Sequence, residues 1–141
     1  MFTDDGLPCI GMTLRHDRLD NFWFTLLHEL GHILLHREEL QDQAILDERI
    51  EENEAQEEHE VAADRFARNA WVKPDIWQDF RQRTRDFPKI LDIQDFASEL
   101  QVTPALIAGR LRHELRRYTH YKRFLGTGTV RDSLQSHHTI F

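Results

Sequence analysis

His28-Glu29-Leu30-Gly31-His32 puts two imidazoles and a carboxylate within five residues. On a helix, positions four apart stand one turn apart on the same face, so His28 and His32 point the same way with Glu29 beside them. That is the geometry of a zinc site carrying its own general base. The chain holds nine His and 25 acidic residues, so this short pattern is weak without its surroundings. The flanks are Phe22-Trp23-Phe24-Thr25-Leu26-Leu27 before it and Ile33-Leu34-Leu35-His36 after it. They predict a helix over residues 20–37, apolar almost all round and therefore buried, with Asp20 as its N-cap. Two His and a Glu in such a helix are costly unless a cation or a hydrogen-bond network satisfies them. Gly31 in mid-helix costs about 1 kcal/mol relative to Ala. Close approach of a second helix, or of substrate backbone, would account for it.

Two His do not complete a zinc centre. A catalytic site needs a third protein ligand and one open position. Downstream the chain reads Glu60-Val61-Ala62-Ala63-Asp64-Arg65-Phe66-Ala67. Glu60 and Asp64 share a helix face, and Ala63 and Ala67 flank it, small enough for close packing on the first helix. Glu60 fits as the third ligand. Asp64 fits as the carboxylate that holds the N–H of a ligating His and fixes its tautomer. Glu57 and Glu58 stay open as alternatives for the ligand, because Glu60 ends an acidic tract; its phase with Asp64 favours it. His36 lies one more turn along the face of His28 and His32, poorly placed to close a tetrahedron with them, and reads as structural. Zinc is expected from the ligand types, although His₂Glu also suits manganese or iron.

The stretch Phe24-Thr25-Leu26-Leu27-His28-Glu29-Leu30-Gly31-His32-Ile33-Leu34-Leu35-His36 resembles the signature helix of the ImmA/IrrE family of metallopeptidases. Glu60-x-x-Ala63-Asp64-x-Phe66-Ala67, followed by Pro74, resembles its second motif. The resemblance covers roughly residues 7–117. It implies a minimal zincin fold and a zinc-dependent peptidase that cleaves or otherwise inactivates a helix-turn-helix repressor. Carried onto this chain, it implies His28, His32 and Glu60 as ligands and Glu29 as base. Two features depart from the pattern. Ala62 stands where many members have Glu, and the Xre-type helix-turn-helix domain that many members carry at the N-terminus is expected to be missing, which would make this a stand-alone peptidase domain or a shortened gene product.

The elements that must position these residues follow from composition and punctuation. The 141 residues support one domain, and 40% hydrophobic content is enough for a core. The expected class is α+β: a minimal zincin-like domain over residues 1–125, mostly helical with a small sheet, followed by a flexible tail over 126–141. Residues 7–15 read as a strand edging the cleft, where it could hold substrate backbone by strand addition. Residues 38–53 read as an acidic loop with one short strand at Ala44-Ile45-Leu46. A second metal helix is predicted over 54–72 and stopped by Lys73-Pro74. A short helix follows over 75–86, then a break at Pro88. The region 90–125 is predicted to be helical. Within it a helix reaches Leu100, a turn falls at Gln101-Val102, and a further helix opens with Thr103 as N-cap and Pro104 at N1. That pair resembles a helix-turn-helix.

Charge and cysteine content narrow the partners. A net charge of −7 argues against binding to nucleic acid or an anionic membrane. The charge is uneven, acidic over 47–60 and basic over 110–123. There is no 18-residue apolar run free of charge and no signal peptide at the start. A lone Cys9 cannot form an internal disulfide, so a cytoplasmic setting is expected, and its apolar neighbours suggest a small core residue.

Three functions compete. The first is a zinc endopeptidase acting on a regulatory protein, with Glu29 moving the proton and His113, His120, Tyr118 or Tyr121 as candidate oxyanion donors. The second is a DNA-binding regulator reading through residues 93–117 with Arg110, Arg112, Arg116 and Arg117 on phosphate. The third is a non-hydrolytic, antitoxin-like interaction module on a metal-binding scaffold. Loss or retention of function in Glu29→Gln separates the first from the third.

Overall fold

A computed structural model describes residues 6–42, 52–85, 87–117 and 119–136. Its described elements are α1 (Leu19–Asp42), α2 (Glu52–Asn69), α3 (Pro74–Thr84), α4 (Ile90–Leu100), α5 (Pro104–Leu115), a 3₁₀ turn (Lys122–Phe124) and α6 (Thr129–Ser136). The expected small sheet is not seen among the described residues. Residues 7–15 hold a single bridge position at Pro8 rather than a strand. The strand expected at Ala44-Ile45-Leu46 lies outside the described residues. None of the described helices is long and apolar enough to cross a membrane.

The chain divides into two compact units. One comprises Met1–Met12 with Thr25–Ala70, the other Thr13–Phe24 with Trp71–Phe141. In the first unit, α1 meets α2 where Gly31 faces Ala63. A Cβ on Gly31 would lie 3.1 Å from Ala63 Cα and 3.2 Å from the Phe66 ring. The close approach expected of Gly31 is therefore present, and Ala63 and Ala67 are buried. The helix is not buried all round. Leu34 and Leu35 face solvent, because an apolar sequence is covered only where a neighbour packs on it. α1 also runs to Asp42, past its expected end, and leaves helical geometry at His36 (φ −127°, ψ 19°). Cys9 is exposed, which corrects its reading as a core residue.

The second unit carries the larger apolar core. Val72, Trp77, Phe80, Ile93, Phe96, Ala97, Ile107 and Leu111 form one buried cluster. Phe80 and Phe96 stack at 4.0 Å between centroids, 4° from parallel. The helices that supply this core start where their punctuation dictates. Pro74 opens α3, and Thr103 caps α5 by accepting from the Ala105 N–H with Pro104 at its first position. α4 ends on Gln101 in the left-handed conformation, the expected turn. Burial raises the pKa of the Tyr121 hydroxyl above its usual value, against the pull of Arg81. That hydroxyl donates to the Pro88 carbonyl at 2.7 Å.

Asp20 is not an N-cap. It lies inside α1, buried, and accepts from both Arg18 Nε, at 3.0 Å, and Arg18 Nη2. The start of α1 is tied down by backbone instead, Leu19 N–H donating to the Leu125 carbonyl at 2.8 Å. Asp20 rests against Gly109 of α5, where an added Cβ would come 2.7 Å from Asp20 Cβ. Gly109→Val is thus expected to overpack this contact and lower stability by about 2 kcal/mol, read as an earlier urea midpoint. The segment after residue 126, expected as a tail, includes α6 with Val130 buried, and the Arg131 N–H donates to Asp17 Oδ1 at 3.0 Å.

The α4–α5 pair does not present a row of free cations. Arg112 is 5% exposed. Arg110 lies 4.2 Å over the Trp77 ring and donates to Glu114 Oε1, while Trp77 Nε1 donates to Glu114 Oε2. Arg117 stacks on Phe87. Two of the four cations needed for reading DNA are thus built into the packing of this unit, and a third lies on an aromatic ring.

Candidate metal centre

α1 contributes His28, Glu29 and His32, and α2 contributes Glu60 and Asp64, all in the first unit. The Gly31–Ala63 approach brings the two helices close enough for short side chains to meet. His28 Nε2 lies 3.0 Å from His32 Nε2 and 3.1 Å from Glu60 Oε2, and His32 Nε2 lies 3.3 Å from Glu60 Oε1. His28, His32 and Glu60 are the one group of three or more metal-binding side chains among the described residues that could hold an ion. Glu57 and Glu58, the alternative carboxylates, are not in that group; they line a pocket with Val61, Ala62 and Arg65.

Donor chemistry provides a test of whether a metal suits this arrangement. Asp64 Oδ1 is 2.8 Å from His28 Nδ1. A carboxylate there assigns the proton to Nδ1 and turns a lone pair outward on Nε2. That lone pair then faces a carboxylate oxygen at 3.1 Å, two acceptors in contact, which only a cation or a shared proton can stabilise. Around a four-coordinate ion with bonds of about 2.0–2.1 Å, donor atoms stand about 3.3 Å apart. The observed edges are close to that length, so the residues fit a metal. The imidazoles are mostly buried, whereas the Glu60 side chain is 48% exposed, leaving the centre open on the carboxylate side.

Glu29 follows His28 on α1 and is partly buried. The candidate oxyanion donors belong to the second unit. His113 and His120 are exposed there, Tyr121 is committed to Pro88, and Tyr118 lies outside the described residues. One neighbour of the centre is absent from the sequence reading. His59 stacks on His36, ring centroids 3.8 Å apart and 26° from parallel. Its position just before Glu60 is the only signal in the sequence, and its partner is set by how the two helices cross.

No curated protein and no solved structure matches the chain. The family model described as the IrrE N-terminal-like domain matches residues 8–112, a span that includes all of the residues gathered at this centre. With that match over most of its length, the chain belongs to the ImmA/IrrE family of metallopeptidase-like domains.

Proposed function

We propose that the protein is a zinc-dependent endopeptidase that hydrolyses a peptide bond in a regulatory protein, a helix-turn-helix repressor in the cytoplasm being the substrate. The observation that carries this reading is the convergence of His28, His32 and Glu60, with Asp64 on the far nitrogen of His28. In this reading His28, His32 and Glu60 hold the metal. Bound there, zinc supplies Lewis acidity to a water molecule and to the scissile carbonyl. Glu29 accepts the proton of the attacking water and delivers it to the leaving amine nitrogen. Asp64 keeps the His28 proton on Nδ1, so that Nε2 remains a donor to the metal. The open, carboxylate side of the centre admits an extended peptide.

The reading is tested by incubating the purified chain with candidate repressors, with and without a chelator. Cleavage is expected with zinc, should stop on chelation, and should return on adding zinc back. Cleavage that survives complete metal removal refutes it. Asp64→Asn is expected to weaken zinc binding about 10- to 100-fold, because the carboxylate charge that holds the His28 tautomer is lost. Competition against a chromophoric chelator measures this. Unchanged affinity would assign Asp64 to helix packing.

A further inference from the structure

We infer that His36 and His59 form an aromatic clasp that positions Glu60 for metal binding; this rests on the metal-peptidase reading above. The case begins with how differently the three ligands are held. His28 and His32 are one turn apart on a single helix, with side chains 17% and 16% exposed. Glu60 comes from the other helix on a longer side chain and is 48% exposed. Its placement depends on how α2 lies against α1.

Besides the Asp64–His28 hydrogen bond, two contacts set that placement. Gly31 faces Ala63, and His36 stacks on His59. The pairs run in opposite directions along the two helices, 31 with 63 and 36 with 59. Two of the three donor side chains fall between them. His32 lies between 31 and 36 on α1, and Glu60 lies between 59 and 63 on α2. Residues 59 and 63 are about 6 Å apart along the axis. With the Gly31–Ala63 contact alone, a 10° swing of α2 would move residue 59 by about 1 Å. Metal–ligand distances tolerate about 0.2 Å. Asp64 meets His28 next to the Ala63 contact, so a contact on the other side of Glu60 is still needed, and the stack supplies it at the residue adjoining Glu60. α1 departs from helical geometry at His36, the residue that makes this contact. The rings of His32 and His36 are 6.0 Å apart, so the clasp adjoins the centre without entering the donor group.

The role belongs to the ring face and not to a ring nitrogen, and this makes it testable. The full chain is titrated with Co²⁺ as wild type, His59→Ala, His59→Leu and His59→Phe, following affinity and the visible d–d spectrum. Circular dichroism checks that each variant retains its helix content. His59→Ala is expected to bind Co²⁺ at least tenfold more weakly with an altered spectrum. His59→Phe, which keeps a flat ring, is expected to return affinity to within about threefold of wild type and to restore the spectrum. Should His59→Ala lose its helices, His59→Leu fills the space without an aromatic face and is read in the same way. Wild-type affinity in the Ala or Leu variant overturns the clasp. So does a Phe variant as weak as Ala, which would show that a nitrogen is required. If the wild-type chain binds no Co²⁺, the centre itself fails and the clasp with it. Wild-type binding with undiminished His59→Ala overturns the clasp alone.

Discussion

Glu29→Gln is expected to retain its metal and to lose about 10²- to 10⁴-fold of peptide hydrolysis. The change keeps the size and hydrogen-bonding capacity of the side chain and removes its ability to take a proton. The ligand set is untouched, since His28, His32 and Glu60 form the group that could hold an ion. Metal content and turnover should therefore separate in this variant. The same variant distinguishes hydrolysis from sequestration. A protein that silences its target by binding needs Glu29 only as a polar surface group, and Glu29→Gln would remain active in a repressor-inactivation assay. Loss of inactivation with metal still bound supports a proton-transfer role. Loss of both metal and activity would place Glu29 in the structural support of the centre.

The extent to which such a centre can be read from a linear chain varies from residue to residue. Helix starts written in local chemistry are legible, because Pro74 at the head of α3 and Thr103-Pro104 at the head of α5 act through their own backbone and nearest neighbours. Gly31 is legible for a related reason. A helical glycine has a local cost that calls for a compensating contact, and α2 provides it. The proximity of His28, His32, Glu60 and Asp64 follows from phase along two helices plus the small residues that allow those helices to approach. Features decided by distant partners are not legible. Asp20 has the chemistry of a cap, yet Arg18 takes its carboxylate and Leu125 takes the first N–H of α1. Cys9 sits among apolar neighbours in sequence and is nevertheless exposed, as are Leu34 and Leu35. The His36–His59 stack depends on a departure from helical geometry inside α1 and on the angle at which two helices cross, neither of which is encoded in residue spacing.

The most consequential substitution is Glu60→Ala, which is expected to strip the centre of its metal and abolish hydrolysis together. Asp64 touches only the far side of His28, and outer partners of this kind are worth about 10- to 100-fold in affinity. Removing a donor that approaches both Nε2 atoms directly should cost more, about 10²-fold or beyond. It also removes the anion that faces the imidazole pair, leaving two ring nitrogens 3.0 Å apart to share a single proton. Elemental analysis of native and Glu60→Ala protein prepared side by side gives the answer. About one zinc per native chain, and little in the variant, fits a centre of His28, His32 and Glu60. Full retention by the variant would keep a metal protein but transfer the third ligand elsewhere. Glu57 is the nearer heir, one turn from Glu60 and in phase with Asp64, but neither it nor Glu58 belongs to the group of side chains whose donor atoms already meet. Glu58 stands on the opposite side of α2 from Glu60, so for it to serve the helix would have to rotate, and Ala63 would then leave Gly31. The rotation would bring larger side chains against α1 at the point where a Cβ added to Gly31 would already come within 3.4 Å of the Ala63 methyl group. The packing that brings Glu60 to the two histidines therefore also keeps Glu58 from replacing it.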